Sequence, residues 1–303
     1  MAVQHFIDVD QLDLKQIEKI FAYATDYAQN PHSDSLRNKR LINIFFENST
    51  RTRSSFEIAA KNMSAAVINI NVASSALKKG ESEKDTLQTL AAMHPEFITI
   101  RHGEAGSVAK LCTHLADAIV INSGDGAHAH PTQALIDAFT IFTEKKFQTL
   151  DDFKKLKIAI CGDIINSRVA RSNIKLLGLL GAQLNLVGPI TLLPQYTDFA
   201  AQKFIDLKSG LKEVDVIMAL RIQRERMQSC FITSMSDFYK TYGITEQALT
   251  YANKDAIVLH PGPMNRNVEI CEAIADDRSV CKALDQVKNG IAIRQAVLRF
   301  LSE

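Results

Sequence analysis

The sequence predicts an α/β protein of two doubly wound domains, each with a parallel sheet flanked by helices. Three observations lead there. Short apolar, β-branched runs recur along the chain, and each is followed by polar or glycine-rich residues. Strands alternating with helical stretches are the pattern of βαβ units. The length of 303 residues fits two domains of roughly 150 residues each, and the alternation starts afresh in the second half. The expected boundaries are 1–132 for the first domain and 133–290 for the second, with the C-terminal helix 291–303 packing back on the first.

The elements follow in order. Residues 41–46 (LINIFF) read as a buried strand, then ENSTRTR, then a helix over about 54–63. Residues 97–100 (FITI) precede RHGEAG, and 118–121 (AIVI) precede NSGDGAHAHPTQ. A long helix is expected over 131–147, with Leu135, Phe139 and Phe142 at helical spacing, bridging the two halves. In the second half, 157–161 (KIAIC) lead into GDIINSR and a helix through Leu180. Residues 184–187 (LNLV) run into GPI, 214–220 (VDVIMAL) into RIQRER, and 256–259 (AIVL) into HPGPMNR. The stretch 291–301 closes the chain as a helix, with Val297 and Leu301 four apart. In parallel sheets ligands bind beyond the carboxyl ends of the strands. Nearly every unusual polar cluster of this chain sits at such a place.

Composition narrows the function. Hydrophobic residues make up 46% and charged residues 23%, so a large core is available and disorder is not expected. Lys+Arg is 35 and Asp+Glu is 34, a formal net charge of +1, which gives no global reason to expect nucleic acid or an anionic membrane as partner. An anionic substrate must be met by local positive charge. No apolar stretch reaches the ~18 residues of a membrane span, and the N-terminal residues lack the pattern of a signal peptide. The five cysteines are scattered and form no Cys-x-x-Cys pair, so neither a zinc knuckle nor a disulfide framework is expected. A cytoplasmic location is the simplest expectation.

The segment Ser49, Thr50, Arg51, Thr52, Arg53 leaves a strand and opens a helix. A helix N-terminus presents unpaired N–H groups and the positive end of a dipole. Hydroxyls and guanidinium groups placed there make a phosphate cradle, and arginine suits a planar oxyanion better than lysine. An ordinary capped helix would explain the hydroxyls. It does not explain two arginines in the opening turn, where like charge opposes the dipole. Arg101 and His130, each in a loop beyond a strand, and Gln133 close to His130 are further polar candidates at such a place.

FFENSTRTRSSFE is similar to the carbamoyl-phosphate signature of the aspartate and ornithine carbamoyltransferase family. The resemblance continues through SALKKGES at 75–82, RHGEAG at 101–106, HPTQ at 130–133, GDIINSRVARSN at 162–173, LRIQRER at 220–226 and HPGPMNR at 260–266. It implies transfer of the carbamoyl group of carbamoyl phosphate to the amine of an amino acid, without metal or cofactor. It further implies that Ser49, Thr50, Arg51, Thr52 and Arg101 hold the phosphate, and that Thr52, Arg101 and His130 hold the carbonyl oxygen. Gln133 and the backbone at Gly262 and Pro263 would take the NH2. Ser75 and Lys79 would reach into a neighbouring subunit's site, which implies a homotrimer with shared active sites. A regulatory chain, a dihydroorotase or only further copies of the chain are open as additional partners.

The second half bears on the acceptor amine. Aspartate carries two carboxylates, each able to take a bidentate guanidinium. Arg168, Arg221, Gln223 and Arg226 are the candidates. The ornithine relative carries an Asp and a Ser-Met-Gly segment near this position and a His-Cys-Leu-Pro motif further on. This chain has ALRIQRER, and His260-Pro261-Gly262-Pro263 without cysteine. Both departures favour L-aspartate, with N-carbamoyl-L-aspartate, a pyrimidine precursor, as product. By resemblance Arg168, Arg221, Gln223 and Lys79 bind aspartate, and Glu47 forms salt links with Arg168 and Arg226 that lock the closed domains. Asn267 stands where many members of the family carry glycine.

Three other readings stand beside this one. The first is carbamoyl transfer to another amino acid. The second is a metal-dependent amidohydrolase using the His-x-His pair His128 and His130, with His94, His114 or His260 as further ligands. The third is a non-catalytic anion-binding subunit. For His128 a structural role is favoured. His130 also starts a helix before Pro131, which stands at the favoured first position.

Overall fold

The computed structural model describes residues 5–71, 82–115, 118–196, 200–222 and 234–303. The chain divides into two compact units, Met1–Ile136 with Lys288–Glu303, and Asp137–Val287. Each holds a parallel sheet flanked by helices, in keeping with the expected fold class.

The first unit begins with α1 (Leu14–Gln29). Asp13 and Gln16 satisfy each other's backbone N–H groups in a capping box, at 2.8 and 2.9 Å. Ile17, Ile20, Phe21, Ala24 and Tyr27 fall at helical spacing and are buried, so one face of α1 is turned inward. Then follow β1 (Arg40–Phe45), α2 (Thr50–Asn62), β2 (Ala66–Asn71), α3 (Glu83–Ala91), β3 (Phe97–His102), α4 (Ser107–Cys112), β4 (Ile119–Asp125) and α5 (Pro131–Glu144). All strand pairs are parallel and the order is β2-β1-β3-β4. The chain therefore builds outward from β1 in one direction, then returns to build outward in the other. The reversal lies between β1 and β3.

One face of this sheet packs Ile42, Ile44, Ile98, Ile100 and Val120 against Leu87, Val108 and Leu111. On the buried polar side, Asn43 accepts from the Thr99 hydroxyl and donates to Asn69 Oδ1 at 2.9 Å, so a polar chain crosses three strands with its groups satisfied. The last helix of the protein returns to this unit. Gln295 donates to the Pro31 carbonyl at 2.7 Å, the Arg294 guanidinium lies 5.0 Å from the Phe56 ring centre, and Tyr23 donates to Glu303 at 2.7 Å.

The second unit contains β5 (Lys157–Cys161), α6 (Arg168–Leu179), β6 (Gln183–Val187), β7 (Ala201–Phe204), α7 (Leu207–Gly210), β8 (Val216–Ala219), α8 (Met235–Tyr242), α9 (Glu246–Leu249), β9 (Ile257–Leu259), α10 (Glu272–Asp276) and the start of α11 (Ala283–Ser302). Its parallel sheet has the order β7-β6-β5-β8-β9, and its reversal lies between β5 and β8. Val187, Leu211, Val214, Ile217, Val258, Ile270 and Ile274 form its core.

The structure departs from the sequence reading at edges and ends. β2 and β7 were not expected. Both are edge strands, β7 with the polar sequence AQKF and β2 with Ile68 43% exposed, so neither shows a buried apolar run. The helix expected from about residue 54 starts at Thr50, which puts Thr50, Arg51 and Thr52 inside its first turn. β3 continues past residue 100 and includes Arg101. Among the described residues no helix is long and apolar enough to cross a membrane.

Asn267 also finds an account. Its φ is 58°, in the left-handed region, and its N–H donates to the Ile270 carbonyl at 2.8 Å to close a turn. Glycine suits that conformation without cost, and asparagine is among the residues that tolerate it best. We expect Asn267→Gly to change unfolding free energy by less than about 1 kcal/mol, and Asn267→Val to lower it by about 1–2 kcal/mol, read from denaturant midpoints.

Candidate active site

In the first unit the carboxyl ends of β1, β3 and β4 lie side by side. Phe45 pairs with Arg101 and His102 with Asp125 in the strand register. The segments carrying Glu47 to Thr52, Arg101 to Gly106, and Gly126 to Gln133 therefore leave the sheet from one end, two of them flanking the strand-order reversal. That is where open parallel sheets place ligands.

Ser49 occupies the N-cap of α2, but its side chain makes no capping hydrogen bond. The plain capped helix is thus not what forms. The first intrahelical bond runs from the Arg53 N–H to the Ser49 carbonyl, at 3.3 Å. The N–H groups of Thr50, Arg51 and Thr52 lie ahead of it, in the turn where a helix has no partners of its own. No acidic residue stands in that turn, Arg51 is exposed and Thr52 is buried. The turn thus combines N–H donors, hydroxyls and arginines around the positive end of a 13-residue helix.

Arg101 is held from two sides. Its Nε donates to Glu47 Oε1 at 2.6 Å and its Nη1 to the Ser123 carbonyl at 3.2 Å. Its side chain is only 13% exposed, so the plane of the guanidinium is set before any ligand arrives. His130, 4% exposed, ends the segment after β4 and precedes α5, and Gln133 lies in the first turn of that helix, half-buried.

A buried carboxylate joins the two loops behind these residues. Asp125, with no exposed surface, accepts from the Gly106 N–H at 2.8 Å, Asn122 Nδ2 at 3.0 Å and the Ala129 N–H at 3.1 Å. His128 Nδ1 lies 3.1 Å from its other side. His128 is thereby assigned to the support of the loop. The loops also meet backbone to backbone. A Cβ on Gly126 would stand 2.3 Å from the Ala105 nitrogen, so only glycine permits the approach. A comparable anchor lies at His102, whose Nδ1 accepts from the Glu104 N–H at 2.9 Å and whose Nε2 stands 3.1 Å from Glu83. Asp125 was not singled out in the sequence, because an aspartate that serves backbone N–H groups leaves no spacing to recognise. Asp125→Ala leaves several buried donors without an acceptor. We expect it to lower stability by roughly 2–4 kcal/mol in urea titration, a larger loss than for Asp10→Ala at an exposed position.

In the second unit the ends of β5, β8 and β9 are neighbours, with Cys161 paired to Ala219 and Met218 to Leu259. Gly162 follows β5 with φ 120°, and a Cβ there would come within 3.2 Å of the Leu220 carbonyl. Ser167 caps α6 by accepting from the Ala170 N–H at 3.1 Å. Arg168 is the first residue of that helix and is buried, 6% exposed. A buried cation at a helix N-terminus opposes the dipole and is costly without anionic company. Arg221 follows β8 across the reversal point and is half-buried. Gly262 and Pro263, joined by a cis peptide bond, lie just beyond β9. Cys161 lies at the end of β5, and burial pushes its thiol well up, which makes it a poor nucleophile. Ser75, Lys79, Gln223 and Arg226 lie outside the described residues.

Each unit thus gathers arginines at the reversal of its strand order, and among the described residues no group of three or more His, Cys, Asp or Glu is arranged to hold a metal ion. Fold and site define a two-unit α/β protein suited to anionic ligands at both sheets. Residues 4–143 match the family model described as the aspartate/ornithine carbamoyltransferase carbamoyl-P binding domain, and 154–301 match that of the Asp/Orn binding domain. The chain belongs to the aspartate/ornithine carbamoyltransferase family. Its relatives include the aspartate carbamoyltransferase catalytic subunit of Pelagibacter ubique, 44% identical over 99% of this chain and 96% of that one. The catalytic subunit of Rhodospirillum rubrum is 46% identical over 99% and 94%. Among solved structures, aspartate transcarbamoylase from Trypanosoma cruzi in complex with carbamoyl phosphate and aspartate superposes with a TM-score of 0.85 at 26% identity, covering 97% of this chain and 95% of that one. Ornithine carbamoyltransferase from Thermus thermophilus shares the fold, with a TM-score of 0.86 at 19% identity and full coverage of both chains.

Proposed function

We propose that this chain is an aspartate carbamoyltransferase catalytic chain that converts carbamoyl phosphate and L-aspartate to N-carbamoyl-L-aspartate and phosphate. The observation that carries the choice of aspartate is the pair Arg168, at the start of the helix that follows β5, and Arg221, just beyond the neighbouring strand β8. Two guanidinium groups suit the two carboxylates of aspartate, and ornithine would need an anion for its distal ammonium. Three relatives at 44–46% identity, each an aspartate carbamoyltransferase catalytic subunit, support the same choice.

In this reading the first turn of α2, with Ser49, Thr50, Arg51 and Thr52, holds the phosphate together with Arg101. Thr52, Arg101 and His130 donate to the carbonyl oxygen. Gln133 and the backbone at Gly262 and Pro263 take the carbamoyl NH2. Arg168, Arg221, Gln223 and Lys79 hold aspartate. The aspartate amine attacks the carbonyl carbon in its deprotonated form. Negative charge gathers on the carbonyl oxygen in the tetrahedral species, where fixed donors lower the barrier. The C–O bond to phosphate then breaks and the departing phosphate takes the amine proton. Positioning and electrostatics provide the acceleration. Glu47 serves here first as the clamp on Arg101, and its salt links to Arg168 and Arg226 are a second duty. A homotrimer in the cytoplasm, with Ser75 and Lys79 completing the neighbouring site, is part of the same proposal.

The deciding assay supplies carbamoyl phosphate with L-aspartate or L-ornithine and follows ureido product and phosphate together. Product with aspartate alone is expected, and product with ornithine alone would overturn the reading. Arg101→Ala should lower kcat by about 10²–10³-fold, as for loss of one donor to a developing oxyanion. For the shared site, Lys79→Ala and Arg51→Ala chains, each inactive alone, should regain activity after mixing and subunit exchange. Continued silence in verified mixed trimers would refute a shared site.

A further inference from the structure

We propose that Glu269 is a positioning residue which, through His260, fixes the backbone at Gly262 and Pro263 for carbamoyl transfer. The inference deepens the reading above and rests on it, since that reading gives this backbone the carbamoyl NH2.

The argument starts from the histidine ring. The Gly262 N–H donates to His260 Nδ1 at 2.8 Å. An N–H only donates, so Nδ1 must present its lone pair, and the ring proton resides on Nε2. Nε2 lies 3.1 Å from Glu269 Oε1, which accepts it. The same carboxylate oxygen accepts the Asn265 N–H at 2.6 Å. One oxygen thus straps the loop at its first residue and again beyond Pro263, with Gly262 held between by the ring. With both ring nitrogens engaged, His260 is not placed to bind a metal.

The strap is anchored further in. The His260 N–H donates to Gln286 Oε1 at 2.8 Å, Gln286 Nε2 donates to Asp137 Oδ1 at 2.7 Å, and Asn173 Nδ2 donates to Asp137 Oδ2 at 2.8 Å. These bonds tie the loop to helices α11, α5 and α6. All five side chains are buried, His260 and Glu269 at 1% and 2% exposure. Such a network is high in desolvation cost, and apolar packing of the same volume would serve stability as well or better. Glu269 Oε2 is buried with no hydrogen-bond partner, a further penalty that packing alone would not retain. What the network provides is a fixed ring tautomer and a fixed loop. The turn that delivers Glu269 is closed by the left-handed Asn267 and by the Val268 N–H on the Asn265 carbonyl at 3.1 Å.

The test uses the full chain, with Glu269→Ala and Glu269→Gln compared with wild type. Glutamine keeps an acceptor at Oε1 and alanine removes it. Glu269→Ala should lower kcat on the order of 10²-fold, the scale of a small misplacement of reacting groups. The dissociation constant of carbamoyl phosphate, measured by calorimetry, should change less than about 3-fold, because contacts to the phosphate dominate ground-state binding. Glu269→Gln should recover most of kcat. Unchanged kcat in Glu269→Ala, or equal losses in both variants, would overturn the proposal. A second readout is taken on the wild-type chain and does not depend on either Glu269 variant. With ¹⁵N label confined to its eight histidines, the wild-type chain should show His260 as the Nε2–H tautomer, assigned by loss of the signal in His260→Gln. An Nδ1–H tautomer would refute the strap. If wild type forms no carbamoyl-aspartate, the transfer reading fails and the tautomer alone decides whether the strap exists.

Discussion

A parallel sheet that grows outward from a first strand, then reverses, leaves two adjacent strands whose following loops part in opposite directions. That constraint governs both units of this protein. Beside the reversal between β1 and β3 stand the first turn of α2 and Arg101 at the end of β3, and beside that between β5 and β8 stand Arg168 at the start of α6 and Arg221. The helices that follow these strands point their N-termini to the same end, so the dipoles and the guanidinium groups add. A chain of net charge +1 thereby gathers positive charge at these two places.

Concentrated positive charge must be held in place, and carboxylates do the holding. Glu47 sets the plane of Arg101, Asp125 ties the loops after β3 and β4, and Glu269 fixes the loop after β9. Asp125 and Glu269 work through backbone N–H groups, and neither ends in an ion pair with a site arginine among the described contacts. Keeping the supporting anions off the arginines, Glu47 apart, leaves the positive face for ligands. The cost is a set of buried polar groups, which is tolerable because nearly all their donors are satisfied.

Much of this was legible in the sequence, for a physical reason. Buried parallel strands are apolar on both faces, so LINIFF, KIAIC and AIVL stand out, and the residues after them announce the site. Arg51, Arg101, His130, Arg168 and Arg221 all stand at or just beyond strand ends in the structure. The edge strands β2 and β7 escaped, since each has an exposed side and pairs with one neighbour only. The start of α2 was placed four residues late because its first turn is polar, and polarity suits a loop as well as an uncapped helix end. Of the supporting carboxylates, Glu47 was expected in other ion pairs, whereas Asp125 and Glu269 escaped. Several of their partners are backbone N–H groups of glycine, alanine and asparagine, which carry no chemical signature along the chain.

The division of the chain has a consequence for how the molecule comes into being on the ribosome. The second unit is one continuous stretch, Asp137–Val287, whereas the first is Met1–Ile136 completed by Lys288–Glu303. Arg294 over Phe56, Gln295 on Pro31 and Glu303 on Tyr23 supply contacts that do not exist until residues 294–303 have emerged. The unit that is begun before the other is therefore completed after it. Until then the nascent chain carries an uncovered seam beside α1 and α2, exposed for as long as the other half takes to synthesise.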